Sequence, residues 1–157
     1  MFTHLNTHSV YSRMSGTISI NRLIALTKSC QSKSLALTDI NTVRGFINFV
    51  HSAQDEGIAP IAGVNLITNV DEVVILAENH IGYENICRSI TEYYINPNSS
   101  VADILKQRSD GLFVLTYYPS LLEKLRSFMS DTQLFIELRP GIKERAAQKL
   151  SKKYKLE

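Results

Sequence analysis

The sequence predicts an α/β domain built on parallel strands. Short apolar segments alternate along the chain with longer segments in which apolar residues recur every three or four positions, the spacing of an amphipathic helix. The short segments are nearly continuous in apolar residues, which is typical of parallel strands covered by helices on both faces. The chain has 157 residues, 44% of them hydrophobic and 20% charged, and this suits one globular domain with a substantial core.

Four apolar segments are the predicted strands, and two weaker segments are further candidates. Residues 73–77, for example, read VVILA with no polar interruption. The four strands are 35–37, 73–77, 112–115 and 134–138, and the weaker candidates are 1–5 and 58–66.

The predicted helices begin after the first weak strand. Ser19 is a plausible N-cap for a helix whose apolar stripe is Ile20, Leu23, Ile24 and Thr27. A second stripe has the same spacing and ends before Gly57, a good C-terminal stop; its members are Val43, Phe46, Ile47 and Val50. The remaining helical segments are 83–94, a short helix opened by a capping box at 100–103, 121–129 and 142–150.

The charge and the cysteine content bear on whether the protein binds nucleic acid and on the compartment in which it is found. The net charge is only +2, so no protein-wide basic surface argues for nucleic-acid binding. The basic run between Lys143 and Lys155 predicts a solvated helix face, with a phosphate-contacting patch as the lesser alternative. Cys30 and Cys87 are far apart and no signal peptide precedes them, so we expect buried thiols and a cytoplasmic protein. No apolar run is long enough to span a membrane.

Polar residues follow three of the predicted strands. In α/β folds the functional groups collect at the carboxyl ends of strands. This rule selects the loops containing His8, Asp39 and Asn65. The first of these loops belongs to the segment THLNTHSVYS at residues 3–12, which resembles a cluster of metal ligands with one member missing.

The residue pattern alone leaves two interpretations open for these loops. If the first strand persists, His4, Asn6 and His8 share one face and could contribute to a zinc or manganese site that activates water. The alternative is a set of polar, hydrogen-bonded residues at a strand end. Asp39 fits a catalytic carboxylate and a turn-forming or capping residue equally well. Ser9 and Ser12 lack an evident His–acid system and form no nucleophile elbow.

Four longer segments together resemble a known family. They are FTHLNTHSVYSRMSG at 2–16, LALTDINTVRGFINFVHSAQDEGIAPIAG at 35–63, VVILAENHIGYENICRSI at 73–90 and LFIEL at 134–138. In this order they are similar to the PHP (polymerase and histidinol phosphatase) domain, in the form found at the N-terminus of the bacterial DNA polymerase III alpha subunit. The resemblance implies a PHP-type (βα) barrel with parallel strands, of which residues 1–157 would be the front portion.

The resemblance also implies where the metal ligands of the family would fall. The matched positions are Asn6, His8, Asp39, Ile40 and Asn65. Of the family's H-x-H pair only His8 remains, the histidine of its Thr-Asp-His motif is Ile40, and the carboxylate of its Gly-x-Glu motif is Asn65. The acidic residue often found before the glycine of the first loop is Ser15. Because isoleucine has no lone pair and asparagine only a neutral amide oxygen, we expect a vestigial site with no catalytic residue, no cofactor and no bound metal.

The function implied by the resemblance is that of a region in a replicative DNA-directed DNA polymerase. The parent enzyme is a nucleotidyltransferase whose magnesium lies in a separate palm domain. Family members that keep their ligands cleave phosphoesters, whereas members with degraded ligands are structural modules that dock a separate proofreading exonuclease subunit. We expect this chain to be of the second kind and inactive alone. The alternatives are a stand-alone metal-dependent phosphoesterase and a PHP-derived interaction protein.

The expected partners follow from the same resemblance. They are the remainder of the alpha chain, the exonuclease subunit, and DNA through the parent enzyme, with no membrane. The sequence ends at Glu157, where the family continues into a strand with an Asp-x-His pair, so we expect a natural truncation or an expression fragment with a cloning-site Leu-Glu. Open strand edges in such a fragment would favour self-association.

Overall fold

The computed structural model describes residues 2–138, 148 and 152. The chain divides into two compact units, residues 1–65 and 66–157. Apart from Gln148 and Lys152, the predicted helix at 142–150 and the basic run that ends at Lys155 lie outside the described residues. No helix in the described part of the chain is long and apolar enough to cross a membrane.

The first unit pairs two helices with two parallel strands. In chain order the elements are α1 (Ile20–Ser29), β1 (Ser34–Leu37), α2 (Phe46–Asp55) and β2 (Ala59–Ile67), whose last two residues belong to the second unit. The strands β1 and β2 are parallel, with Ser34 opposite Ala59 and Leu37 opposite Ala62. Both predicted strands are therefore confirmed, including the weaker candidate at 58–66.

The core of the first unit lies between its helices and strands. Helix α1 begins where expected, because the Ser19 hydroxyl accepts a hydrogen bond from Arg22 N at 3.3 Å. Its predicted apolar face is confirmed, since Ile20, Ile24 and Thr27 are buried. The core residues are Ile20, Ile24, Leu35, Leu37, Phe49, Ala53 and Ile58.

The predicted apolar face of helix α2 is confirmed only in part. Phe46 packs against the core, whereas Ile47, another member of the predicted stripe, is 59% exposed. Val43 precedes the helix altogether, and the fully buried residues are Phe49 and Ala53. The predicted stripe missed both because the segment is apolar on more than one side, so spacing alone did not select the buried face.

The N-terminal segment does not form the predicted strand at 1–5. Within the described residues it makes a single parallel bridge, between His4 and Leu35, after which the chain bends. The expectation that His4, Asn6 and His8 share one strand face therefore fails. The segment still runs beside β1, since Ala36 N donates to His4 O and Thr38 N to Thr7 O.

The second unit packs helices on three strands. Its elements are β3 (Glu72–Ala77), α3 (His80–Ile95), α4 (Val101–Leu105), β4 (Leu112–Thr116), α5 (Pro119–Leu125), a 3₁₀ turn (Asp131–Gln133) and β5 (Leu134–Ile136). The positions of all three predicted strands are confirmed within one or two residues. The largest fully buried side chains here are Leu66, Ile75, Ile86, Ile104, Leu105, Leu112, Leu121, Leu122, Leu125 and Leu134.

The prediction that all strands are parallel is wrong for β3 and β4. These two strands are antiparallel, with Ala77 opposite Leu112, whereas β4 and β5 are parallel. The chain leaves β3, runs through α3, and returns through α4 to the end of the sheet that it left. A single helix would have carried it to the opposite end and given a parallel pair. The strand pairing is therefore mixed.

Two local predictions in the second unit have different outcomes. The cap at 100–103 is confirmed, since Asp103 N donates to the Ser100 hydroxyl. That hydroxyl in turn donates to Asp103 Oδ2 at 2.6 Å and holds the pKa of this carboxyl below its usual value. The expectation of buried thiols is not met, since Cys30 is exposed and Cys87 is half-buried.

Candidate functional site

The candidate site lies in the first unit, where the chain leaves β1 beside the last residues of β2. After β1 the chain continues to Asp39 and Ile40, and Ile40 forms a single parallel bridge with Asn65 of β2. Asn65 N donates to Asp39 O at 3.3 Å, and Asn41 N donates to Asn65 O at 3.0 Å. Asn65 therefore lies within β2 and not in the loop that the sequence predicted, and main-chain hydrogen bonds hold it beside the segment that follows β1.

Asp39 is the centre of the site and is only 1% exposed. Its carboxylate accepts three hydrogen bonds from the first loop. Ser9 N and Ser12 Oγ both donate to Oδ1 at 2.6 Å, and Ser9 Oγ donates to Oδ2 at 2.7 Å. Of the roughly four acceptor positions of a carboxylate, about three are thus occupied by groups of the protein itself. Asp39 therefore fixes the N-terminal loop against the end of β1.

The two serines are themselves fully buried and satisfied in both directions. The Ser9 hydroxyl accepts from Tyr11 N at 3.2 Å, and the Ser12 hydroxyl accepts from Ile40 N at 3.0 Å. Each hydroxyl thus donates to Asp39 and accepts a main-chain N–H. A buried network of this kind is stable because none of its members lacks a partner.

A tight turn returns the loop to its starting point. Ser12 N donates to Ser9 O at 2.9 Å, and Gly16 N donates to Ser12 O at 2.7 Å. A Cβ atom on Gly16 would lie 1.8 Å from Ser9 O. Only glycine fits this position, because the main chain on either side of the turn is in direct contact.

Asn6 and His8 lie on the same side of the unit but contact different neighbours. The Thr38 hydroxyl is 3.2 Å from Asn6 Oδ1, and Asn6 is exposed. His8 is half-buried, and its Nε2 lies 3.4 Å from Asn65 Nδ2, within hydrogen-bonding distance. The structure thus brings His8 and Asp39, which follow the N-terminal segment and β1, next to Asn65 of β2.

The side chains present do not fit a catalytic metal cluster. Ile40 has no donor atom, Asn6 and Asn65 have only neutral amides, and the Asp39 carboxylate is already occupied by serine groups. His8 is the only histidine left at these positions, and its Nε2 faces an amide nitrogen. Among residues 2–138, 148 and 152, no three His, Cys, Asp or Glu side chains lie close enough together to hold a metal ion. The donor chemistry suits a hydrogen-bonded scaffold.

Sequence reasoning missed the role of the serines. Ser9 and Ser12 were judged only as nucleophiles, and their actual partner lies 30 and 27 residues further along the chain. The spacing of the two serines, one turn apart, gives no sign of so distant a carboxylate. The other histidines lie apart from the network. His4 contacts the ring of Phe2, and His51 and His80 are exposed on or beside helices.

The fold and the polar cluster define an α/β domain whose functional loops follow the strand ends. The chain belongs to the PHP domain family, since the model of that family matches residues 4–155. This confirms the family resemblance found in the sequence.

The relatives that the chain resembles in sequence include DNA polymerases. The chain is 30% identical over 131 residues to the DNA polymerase III subunit alpha of Borreliella burgdorferi, covering 71% of this chain and 11% of that protein. It is 27% identical over 156 residues to the same subunit of Bacillus subtilis, covering 94% and 13% respectively. An error-prone DNA polymerase of Symbiobacterium thermophilum is 37% identical over 95 residues, which cover 60% of this chain and 9% of that protein. The chain thus spans only a small part of each relative.

Solved structures resemble the chain along almost its entire length. An amidohydrolase from Chromobacterium violaceum, solved with sulfate and no metal, has a TM-score of 0.65 at 12% identity and covers 98% of this chain and 83% of its own. A protein from Bifidobacterium adolescentis, assigned as a metal-dependent phosphoesterase, has a TM-score of 0.63 at 11% identity, with 98% and 84% coverage. At these identities the likeness establishes the α/β fold.

Proposed function

We propose that this chain is the PHP region of a bacterial DNA polymerase III alpha subunit, and that it acts as a structural and docking module. The observation that carries the proposal is the occupation of the Asp39 carboxylate by Ser9 and Ser12. Together with Ile40 and Asn65 at the matched ligand positions, it supports a vestigial site. The parent polymerase would extend DNA with magnesium bound in another domain, in the bacterial cytoplasm.

The proposed partners follow from the relatives, of which this chain spans a small part. The first is the remainder of the polymerase chain, against which the PHP region would pack. The second is a separate proofreading exonuclease subunit, for which a PHP region without its own metal cluster would provide a docking surface. Contact with DNA would then come through the parent enzyme as a whole. A stand-alone metal-dependent phosphoesterase is the rival function, and one assay separates the two.

That assay measures metal content and hydrolysis in the same sample. After dialysis against zinc or manganese, we expect the wild-type chain to retain no stoichiometric metal and to show no chelator-sensitive cleavage of bis(p-nitrophenyl) phosphate. The comparison is a variant with Asn6→His, Ile40→His and Asn65→Glu, which restores the family's ligand types. We expect this variant to bind zinc at least ~10-fold more tightly than the wild type, the scale on which metal-site residues act.

Two outcomes would contradict the proposal. One is a wild-type chain that binds metal stoichiometrically and cleaves the diester in a chelator-sensitive reaction. The other is a wild type that binds zinc as tightly as the triple variant, which would mean that the present side chains already form the site.

A further inference from the structure

The loop at 9–16 presents apolar side chains to solvent. Met14 is fully exposed, Val10 is 49% exposed and Tyr11 is 36% exposed. The three lie within five consecutive residues of a closed turn, so they are close together whatever the rest of the fold does. Single exposed apolar residues are common on protein surfaces, whereas contiguous groups of them are a feature of interaction sites.

Hydrogen bonds hold the main chain of this loop in one shape. Ser15 N donates to Ser12 O at 3.0 Å, and Val10 N donates to Ile18 O at 3.0 Å, which ties the start of the loop to the segment that leaves it. The buried serine network fixes the base of the loop beside the end of β1. A loop that is already ordered loses little conformational entropy when a partner binds, so it is suited to docking.

Met14 adopts a left-handed backbone conformation. Its φ is +65°, which is uncommon for a residue other than glycine or asparagine and costs free energy because the Cβ atom crowds the following carbonyl. The position therefore holds a long apolar side chain that strains its own backbone and gains no burial within the described part of the chain. Burial of this side chain by a partner would account for a methionine here.

Arg13 gives the loop a positive charge between its apolar residues. It is exposed, and among the residues that the structure describes it forms no ion pair. The first 54 residues of the chain contain one acidic residue, Asp39, which is buried. A complementary surface would therefore combine an apolar cleft with at least one carboxylate at its border.

The composition of the loop favours a protein partner over a nucleic acid. Val10 and Met14 neither stack on bases nor contact phosphates, and a single cation supplies little of the electrostatic attraction on which nucleic-acid binding depends. Methionine, tyrosine and arginine are enriched at the centres of protein–protein interfaces. The flexible thioether of methionine also adapts to irregular apolar surfaces.

We propose that Val10, Tyr11, Arg13 and Met14 form a docking surface for a protein partner that offers an apolar cleft bordered by carboxylates. The assignment rests on the docking role proposed above, in which this partner is the proofreading exonuclease subunit. It places that role on one loop, so docking at another surface of the chain would leave the role standing and contradict the assignment.

The test is protection of Met14 from hydrogen peroxide, which transfers one oxygen atom to the thioether sulfur and is reduced to water. The full chain is treated with the exonuclease subunit of the same organism, with an oligothymidylate, or with serum albumin as a control for peroxide consumption. Peptide mass spectrometry measures the sulfoxide. We expect the exonuclease subunit at saturation to slow oxidation of Met14 at least ~5-fold, since susceptibility follows exposure. Met129, which is buried, is the internal reference and should not change.

A matched pair of variants measures the affinity by isothermal titration calorimetry. The loop variant carries Val10→Ser and Met14→Ser, and the control carries Tyr94→Ser and Ile95→Ser, which remove exposed apolar side chains from the second unit. We expect the loop variant to bind the exonuclease subunit at least ~10-fold more weakly than wild type and the control to stay within about twofold. Melting temperatures equal to that of wild type would show that both variants are folded.

The outcomes separate this assignment from the docking role itself. The assignment alone is overturned if the exonuclease subunit binds the wild type without protecting Met14, or if the loop variant loses no more affinity than the control. It is also overturned if the oligothymidylate, or a higher concentration of the chain alone, protects Met14 equally well. A wild type that does not bind the exonuclease subunit would contradict the docking role and the assignment together.

Discussion

Replacing Asp39 by alanine is expected to lower the free energy of unfolding by about 3 to 5 kcal/mol, the range for removing one partner of a buried charged network. The carboxylate is 1% exposed and accepts three hydrogen bonds from Ser9 and Ser12. Without it, two hydroxyls and one main-chain N–H remain buried without their acceptor, and the loop at 9–16 loses its attachment to β1. Urea denaturation measures the loss.

The control for this substitution is Asp55→Ala, which removes an exposed carboxylate from the end of α2. We expect a change within about 0.5 kcal/mol, because exposed positions of this kind contribute little. The loss caused by Asp39→Ala should be the same with and without a chelator, since the carboxylate acts on serines. A loss below about 1 kcal/mol, or one that disappears when metal is removed, would contradict the role assigned to Asp39.

The second large effect is expected for Gly16→Ala, with a loss of about 3 kcal/mol or more. The new methyl group would lie 1.8 Å from Ser9 O, an atom of the main chain that no side-chain rotation can move aside. The turn would have to open, and the hydrogen bonds that it carries to Asp39 would be strained with it. Thermal or urea denaturation measures this change.

Gly57→Ala is the matched control for Gly16→Ala. Gly57 has a φ of +70°, and nothing lies within 4 Å of a Cβ atom built on it. Alanine there meets backbone strain alone, about 1 to 2 kcal/mol. We expect the Gly16 substitution to be the more damaging of the two, because it adds a main-chain collision. Equal losses, or a smaller loss at Gly16, would mean that the turn is not held as tightly as its contacts indicate.

Much of the fold could be predicted from the sequence because the relevant signals are local. The apolar segment Val73–Ala77 and the stripe of α1 each fall within ten residues, and the structure confirms both. The direction of β4 could not be predicted in this way. It depends on whether the chain returns through one helix or two, and α4 is only five residues long. The buried face of α2 was only partly predicted, because apolar residues lie on more than one side of this helix and the stripe missed Phe49.

The candidate site was predictable in position and less so in chemistry. The rule that polar groups gather at strand ends selected His8, Asp39 and Asn65, and the structure places them side by side, although Asn65 lies within β2 and not in a loop. Two interpretations were left open for Asp39, a catalytic carboxylate or a turn-forming residue. The structure shows a third role, because Asp39 accepts three hydrogen bonds from residues about 30 positions earlier in the chain. The hydrogen bonds between Asp39 and the two serines form only when the N-terminal loop packs against the end of β1. Residue spacing in the sequence gives no information about this contact.

The proposed vestigial site has a structural description. In the first unit Asp39 and the two serines form a closed hydrogen-bonded network that stabilises the loop following His8. This network involves neither the side chain of Ile40 nor that of Asn65, so we expect the stability of the loop not to depend on metal ligands at those two positions.

The most direct test of the structural role of the polar cluster is the melting temperature of the wild-type chain, measured in EDTA and in 1 mM manganese or zinc. A metal bound to the native state at 100 times its dissociation constant would add about 2.7 kcal/mol, which corresponds to a rise of roughly 5 to 10 °C for a chain of this size. We expect a change of less than about 1 °C with either metal. A rise of about 5 °C or more that is lost in His8→Ala would show that the strand-end cluster binds metal, and would contradict the structural role assigned to it.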